Sequence, residues 1–396
     1  MARARKWQIG VAVGTAACGV LAPQETAAQS MSDVLRFLVT NQSVATSSID
    51  RDRAAADATS ATIGGALLAS LATLPVSSST SAFIYRLNPN LGVVERATSS
   101  FGPSFTERAV TSGRGRGSFG VTFQHFRFNQ LDGHSLRSGT LVTTANQFVD
   151  ESVPFDEDRL TLALDADVTT LHGTIGLTDR IDIGVAAPIV ALRLAGTRVN
   201  TYRSQTFTQA SATATAVGPA DLVARTKIAL YDGEGVGLAA AADVRLPTGA
   251  RDNLLGAGRA SVRLTAIGSV DQGRMAAHAN VSGSLGGLAR DVAGALALAV
   301  VASNRLTLVG ELQARRLGLP GRIAVERAPH PVLVDVDTLR LGPDGRHLVS
   351  LTVSPGLKWN VDGAWVLVAS LTVPLVRQGL TTTLTPYVGL DWAIGL

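Results

Sequence analysis

Over most of the chain, apolar residues recur at every second position. The segment 181–189 places isoleucine and valine on one phase and Asp182 on the other, and the segment 236–246 sets valine, leucine and alanine against Asp243 and Arg245. Successive side chains of a β-strand point to opposite faces of its sheet, so a period of two predicts strands. One face of these strands is apolar, and the other is small, hydroxylic or charged.

The length of these runs separates two all-β architectures. Each run extends over roughly ten residues or more, which is enough to cross a bilayer as a tilted strand. A secreted β-sandwich also alternates, but its strands are typically about five or six residues long. The polar phase mixes acids and bases with very small residues, unlike the surface of a soluble protein. We therefore favour an antiparallel transmembrane β-barrel, with the sandwich as the alternative.

Short and long connections alternate along the chain. The short turns fall at 177–180, 231–235, 270–274, 303–305 and 360–363. The long links are 131–158, 200–216, 247–257 and 317–345, with 286–291 as a short exception on the same side. Outer-membrane barrels have short periplasmic turns and longer extracellular loops. The pattern therefore predicts a barrel in the outer membrane of a Gram-negative bacterium, with the long links outside the cell.

The strands number twelve when they are counted from residue 117. A possible hairpin at 80–87 and 92–101 would raise the total to fourteen, and both totals are even, as single-chain bacterial barrels require. Twelve is the preferred count. The predicted strands are 117–130, 159–177, 180–199, 217–231, 235–247, 257–271, 273–286, 290–302, 304–316, 346–361, 363–375 and 380–396. The apolar phase slips between Val168 and Leu171 and again near Pro188, where we expect β-bulges.

The two phases of each strand are assigned to lipid and to the lumen. In the strand 159–177, the residues expected to face lipid are Leu160, Leu162, Leu164, Ala166 and Val168. Charged side chains are costly in hydrocarbon but tolerable when they face water or one another across a lumen. The candidate lumen-lining residues are Asp165, Asp167, Asp182, Asp221, Arg225, Lys227, Asp243, Arg245 and Arg263. Trp359, Trp365 and Trp392 are expected in the aromatic girdle at the membrane interface.

The N-terminal residues differ from the alternating remainder. Residues 1–28 combine a basic start, a short apolar stretch and small residues before a cleavage point after Ala28, which is typical of a secretory signal peptide. Cys18, the single cysteine, lies in this stretch. Residues 29–79 contain apolar residues at helical spacing and a serine-rich linker, and they predict a short α-helical segment that is a plug or a periplasmic arm. Residues 80–396 then form the barrel.

Three stretches resemble a known family of bacterial outer-membrane barrels, the one named for the meta-pathway of phenol degradation. The stretches are SFGPSFTERAVTSGRGRGSFGVTFQHFRFNQLDG (100–133), LTDRIDIGVAAPIV (177–190) and GPADLVARTKIALYDGEGVGLAAAADVRLPTGARDNLLGAG (218–258). The resemblance covers most of residues 80–396. It implies a porin-like channel for the passive passage of small, hydrophobic or aromatic molecules, and it implies no catalytic residues.

Composition and motifs argue against several other functional classes. The formal net charge is +4, and no basic cluster is interleaved with aromatics, which argues against nucleic acid as a partner. The six histidines show no metal-ligand spacing, and no catalytic or phosphate-loop motif is present, so no metal or other cofactor is expected. Two other interpretations stay open. One is an outer-membrane lipid hydrolase, with His125 beside a serine, and the other is a structural or adhesin barrel without conductance.

The same patterns predict the partners of the chain. Alternation continues to Leu396, which resembles the C-terminal signal that the barrel-assembly machinery reads. The acidic stretch 150–158 is interpreted first as a solvated loop, and the alternative is that it binds Ca²⁺ or Mg²⁺ and so bridges to lipopolysaccharide. The expected partners are therefore outer-membrane lipid and lipopolysaccharide, the assembly machinery and a small hydrophobic solute.

Overall fold

The fold is that of a computed structural model of the chain. The structure describes residues 29–39, 49–71, 78, 85–88, 93–96, 98, 100–288, 290–318 and 322–394. The predicted signal peptide at 1–28 lies outside the described residues. Two helices come first, α1 (Met31–Val39) and α2 (Ile49–Leu71), followed by a small hairpin of β1 (Tyr85–Asn88) and β2 (Val93–Arg96).

The rest of the described chain is mostly β-structure. The strands are β3 (Gly117–Leu131), β4 (His134–Ser135), β5 (Leu141–Phe148), β6 (Asp156–Gly176), β7 (Ile181–Tyr202), β8 (Gln205–Pro219), β9 (Leu222–Gly233), β10 (Val236–Leu246), β11 (Ser261–Gln272), β12 (Met275–Gly286), β13 (Asp291–Ser303), β14 (Leu306–Leu317), β15 (Ile323–Pro329), β16 (Val336–Pro343), β17 (Leu348–Asp362), β18 (Trp365–Pro374), β19 (Leu380–Thr382) and β20 (Thr385–Ile394). A short 3-10 helix at Arg251–Asn253 lies between β10 and β11.

Twelve of these strands close into an antiparallel barrel. Their order around the wall is β3, β6, β7, β9, β10, β11, β12, β13, β14, β17, β18 and β20, and β20 pairs again with β3. This confirms the predicted twelve-stranded barrel and the helical N-terminal segment. The alternative of fourteen strands is wrong, because β1 and β2 pair with each other and with no barrel strand that the structure describes.

One end of the barrel carries the short turns and the other carries the long links between strands. At the end with the long links, the wall continues as a second sheet. Strands β6 and β7 run on beyond the barrel and pair there with β5 and β8, and β16 and β15 continue the sheet beyond β5. We call this six-stranded sheet the extension. It corrects the expectation that 131–158, 200–216 and 317–345 are loops, because much of each link pairs as strand.

The two helices pack against the concave face of the extension. Helix α1 begins with a capping box, in which the Ser30 hydroxyl accepts the Asp33 N–H and donates to the Asp33 carboxylate over 2.7 Å, and this second bond lowers the pKa of Asp33. Helix α1 contacts β7 and β8, and α2 contacts β16. A Cβ at Gly196 would overlap the Leu38 side chain, so α1 lies directly on the inner face of β7. The shared core includes Leu35, Leu38, Ile63, Leu67, Leu160, Leu162, Leu164, Leu192 and Leu194.

Strands β6 and β7 keep one continuous register, so the two predicted bulges are wrong. Thr170 faces Pro188, and Val168 faces Val190, without a shift. The apolar phase changes instead because the apolar face changes sides. In the barrel the outward residues are apolar, whereas in the extension the inward residues are apolar, since the helices cover them. Leu160 to Val168 therefore face inward rather than towards lipid.

The outside of the barrel carries a belt of exposed apolar side chains. Its members include Phe119, Val121, Ile183, Val185, Leu238, Leu264, Val281, Leu296, Leu308, Leu357, Leu367 and Val388. We call this surface the apolar belt, and it is typical of a barrel in lipid. Trp359, Trp365 and Trp392 are exposed near its short-turn end, where the rings of Trp365 and Trp392 stack at 5.7 Å. Among the described helices, none is both long and apolar enough to cross a membrane.

Candidate functional site

A stretch of chain without regular structure lies inside the barrel, immediately before β3. We call residues 100–116 the lumen segment. The inward-facing carboxylate of Glu311, on β14, accepts the backbone N–H groups of Ser104 at 2.7 Å, Phe105 at 3.0 Å and Thr106 at 2.7 Å. Three donors on one buried carboxylate satisfy backbone groups that regular structure would otherwise pair. Glu311 therefore fixes the middle of the lumen segment to the wall.

Side chains of neighbouring strands continue this attachment. Asn280, on β12, accepts the N–H of Glu107 at 2.7 Å and donates to its carbonyl at 2.9 Å. The hydroxyl of Ser269, on β11, accepts the N–H of Ala109 at 2.9 Å. Lys358, on β17, donates to the carbonyl of Pro103 at 3.1 Å. The wall thus recognises the backbone of the segment from several directions.

Two of the predicted lumen residues belong to this attachment. Lys227, on β9, donates to the carbonyl of Val110 at 2.9 Å, and Asp182, on β7, accepts the N–H of Ser112 at 2.9 Å. The Lys227 ammonium and the Asp182 carboxylate lie 3.8 Å apart, and both side chains are buried. Their charges therefore hold a part of the chain itself, rather than standing free in the lumen.

A chamber of about 320 Å³ remains inside the protein, between the lumen segment and α2. Phe105 and Glu107 of the lumen segment and Ser70 of α2 contribute to its lining, and the rest comes mainly from barrel strands. One wall is polar and charged, with many serine and threonine hydroxyls. The opposite side includes Phe126 and Phe128, whose rings stack at 5.8 Å. The chamber is therefore two-faced, with a polar side and an aromatic side.

Four arginines dominate the charge of the chamber. Arg225 pairs with Glu107 and Asp243, and Arg263 and Arg315 share the carboxylate of Asp291. The fourth is Arg245, on β10. The charged lining residues are these four arginines and the three carboxylates, so the wall carries one positive charge in excess. Because the surroundings are partly desolvated, this excess acts more strongly than it would in bulk water.

The predicted lumen residues thus separate into three groups. Arg225, Asp243, Arg245 and Arg263 line the chamber, and Asp182 and Lys227 hold the lumen segment. Asp221 does neither: it accepts the N–H groups of Gly249 at 3.1 Å and Ala257 at 2.8 Å, and so closes the link between β10 and β11.

The predicted lumen position is wrong for Asp165 and Asp167. They were expected in the lumen, but they lie on the outer face of β6, because their neighbours Leu164 and Ala166 point inward to the helices. The Asp167 carboxylate lies within hydrogen-bond distance of His125, 2.7 Å from the imidazole Nδ1, and it also pairs with Arg193. His125 is therefore engaged with a carboxylate on the outside of the wall.

Several residues of the site were missed at the level of sequence. Glu311 and Lys358 stand on the polar phase of apolar strands, as Asp182 does, so the same pattern would have found them. The lumen segment gave no such signal, since it has no period of two and its partners on the barrel wall lie more than 60 residues away. Its attachment depends on long-range contacts that no local pattern records.

The described residues contain one buried serine–histidine pair relevant to the hydrolase interpretation. Ser269 and His278 lie 2.8 Å apart, but the serine hydroxyl also accepts the N–H of Ala109. The pair is buried beneath the lumen segment. Within the described part of the chain, no group of three or more histidine, cysteine or acidic side chains is arranged to hold a metal ion.

No family model and no curated protein matches the chain. Solved outer-membrane barrels do match it. An outer membrane channel from Pseudomonas putida F1 is 14% identical with a TM-score of 0.48, and the match covers 72% of this chain and 98% of that one. OmpF of Salmonella typhi, in complex with daunomycin, is 7% identical with a TM-score of 0.31, and the match covers 70% of this chain and 97% of that one. The outer membrane protease OmpT of Escherichia coli is 9% identical with a TM-score of 0.27, and the match covers 71% of this chain and 97% of that one.

Similarities at this level carry no argument about activity, and the fold rests on the chain's own strand pairing. The resemblance to the meta-pathway barrels stays a prediction.

Proposed function

We propose that the protein is an outer-membrane channel for small molecules. The observation that carries the proposal is the chamber of about 320 Å³ inside the barrel, bordered by the lumen segment and by α2. The membrane location is supported by the apolar belt and by the short turns at one end only. The short-turn end then faces the periplasm, and the extension with its two helices faces the outside.

The lining of the chamber favours a particular kind of cargo. The arginine excess attracts an anionic group, and an arginine fork binds carboxylates well. Phe105, Phe126 and Phe128 offer an apolar surface for the rest of the molecule. We infer that the cargo is a small molecule with an apolar or aromatic body and one anionic group. This narrows the hydrophobic or aromatic cargo that the sequence predicts.

Passage requires both internal segments to yield. The helices close the outer side through apolar packing, whereas the lumen segment closes the periplasmic side through hydrogen bonds and ion pairs. Water can replace the polar partners of the lumen segment once it moves, whereas the apolar packing of the helices has no such replacement, so the lumen segment is the more easily displaced of the two. The charged wall then has two tasks, to hold this segment and to meet the cargo.

The test is ion selectivity in planar bilayers. Under a salt gradient, the wild-type channel should prefer anions. The substitution Arg263→Gln removes the one excess positive charge of the chamber wall and should abolish most of that preference. Arg159→Gln is the matched control, because Arg159 is half-exposed in the extension, pairs with Glu157 and lies outside the chamber. Equal selectivity in Arg263→Gln and wild type would contradict the proposed cargo.

Conductance recordings, together with a lipid-cleavage assay, separate the two other interpretations. A structural barrel would give no conductance in the wild type or in a variant with a displaced lumen segment. A lipid hydrolase would need its serine to reach lipid. In that case the purified wild type would cleave lipid and Ser269→Ala would not, whether or not the protein conducts. Conductance that survives Ser269→Ala, without any lipid cleavage by the wild type, supports the channel.

A further inference from the structure

The outer face of the barrel wall carries a cluster of arginines at the end next to the extension. Arg127 on β3, Asp165 on β6 and Arg193 on β7 lie in register across three neighbouring strands. Arg137, in the link before β5, reaches the Asp165 carboxylate at 2.7 Å. We call Arg127, Arg137 and Arg193 the outer arginine cluster. All three belong to the surface opposite the buried core of the extension.

The height of the cluster coincides with the upper rim of the apolar belt. On β7 the belt includes Ile183, and Arg193 lies ten residues further along the strand. At about 3.3 Å per residue this is roughly 33 Å of strand, and a tilt of about 40° reduces it to a rise of about 25 Å. The apolar band of an outer-membrane barrel is also about 25 Å tall. The cluster therefore lies at the level of the outer-leaflet headgroups.

The cluster has an excess of positive charge. Three guanidinium groups stand around two carboxylates, those of Asp165 and Asp167. The Arg193 side chain is 53% exposed, so it remains open to a ligand although it pairs with Asp167. A guanidinium presents a planar fork of donors that matches phosphate oxygens two at a time.

Below the cluster most outward side chains of the same strands are apolar. Phe123 is 41% exposed, Leu171 40% and Ile189 44%, and all three point outward. This surface therefore has arginines at headgroup height and aromatic and aliphatic side chains at acyl-chain height. A lipid that carries phosphate on its headgroup complements both parts at once.

We propose that this surface binds the phosphate groups of a phosphorylated glycolipid of the outer leaflet, the lipid A portion of lipopolysaccharide. The proposal rests on the proposed membrane location. It also differs from the cation-bridged contact at the acidic stretch 150–158, because here the arginines bind phosphate directly. Asp165 holds the guanidinium group of Arg137 in place, and Asp167 holds that of Arg193.

The test uses the full-length protein, refolded in detergent without lipopolysaccharide, and native mass spectrometry with bisphosphorylated lipid A. The double variant Arg127→Ala/Arg193→Ala should weaken binding by on the order of tenfold or more, since hydrogen bonds between charged groups are lost. Arg127→Lys/Arg193→Lys should retain part of the affinity, because it keeps the charge but not the fork. Arg159→Ala, higher on the same outer face, is the matched control and should bind like wild type.

Three probes distinguish the source of the phosphate. Lipid A without phosphates should bind weakly to wild type, and inorganic phosphate should bind weakly to every variant. Equal binding of lipid A to wild type and the alanine double variant would overturn the proposal. So would tight binding of the phosphate-free glycolipid, or of inorganic phosphate alone.

Failure of this site is distinguishable from failure of the proposed function. If only the lipid site is wrong, conductance and anion preference persist while lipid A binding does not respond to the variants. If the channel is wrong, wild type and double variant both lack conductance, whether or not lipid A binds.

Discussion

Replacing Glu311 with glutamine should release the lumen segment from the barrel wall. The Glu311 carboxylate accepts three backbone N–H groups, those of Ser104, Phe105 and Thr106. Glutamine keeps one acceptor oxygen, but it presents an NH₂ donor to N–H groups that are themselves donors. Each hydrogen bond to a charged group contributes about 1.5–3 kcal/mol, so a loss on the order of 3 kcal/mol is expected. Such a loss shifts the docking equilibrium by roughly a hundredfold.

Limited trypsin digestion measures this release. The Arg108 side chain is 1% exposed while the segment is docked, so cleavage after Arg108 reports its release. Glu311→Gln should accelerate this cleavage and increase single-channel conductance, while the barrel keeps its heat-modifiable mobility on a gel. Glu326→Gln is the control, because Glu326 pairs with Arg340 in the extension, away from the segment. Unchanged cleavage and unchanged conductance in Glu311→Gln would refute the argument that this carboxylate anchors a movable segment.

Three further predictions test the wall and the two closures. Val281→Arg, at the middle of β12 in the apolar belt, should cost about 2–4 kcal/mol of folding free energy, measured by urea titration in vesicles. Thr197→Arg on the outer face of the extension should cost little, and equal costs would argue against a lipid boundary between the two positions. Deletion of residues 31–71 should increase conductance, and combination with Glu311→Gln should increase it further than either change alone; no difference between the combined and single changes would mean that only one closure operates. Ser138→Cys and Val334→Cys should react with a membrane-impermeant maleimide on intact cells, whereas Asp362→Cys should not. The reverse pattern would show that the barrel has the opposite orientation in the membrane.

The barrel itself could be predicted from the sequence because one physical contrast runs through most strands. In β10, Leu238 is exposed on the belt and Asp243 lines the chamber, as the alternation indicates. Lipid outside and polar groups inside impose the same period on every strand that separates them. The strand count follows from the turns between those runs.

The prediction was wrong where that contrast reverses. Leu162 and Asp165 have the same alternation as Leu238 and Asp243, but here the helices cover the inner face and the outer face carries the charged side chains. Alternation shows that two faces differ and does not show which face is covered. The slip of phase after Val168 was the visible signal, and it marked the change of surroundings rather than a bulge.

The pairing of β3 with β20 has a consequence for the order of assembly. Gly117, at the start of the first barrel strand, pairs with Ile394 near the end of the last. Both helices and the lumen segment precede β3 in the chain and lie within the closed wall or the concave face above it. A continuous ladder of hydrogen-bonded strands offers no sideways entry, so the direct route is for these residues to be enclosed as the seam forms. Joining strands so distant in sequence is also entropically expensive and slow. Seam closure is therefore the expected rate-limiting step of biogenesis, and the N-terminal residues act as a template around which the final strand pair comes together.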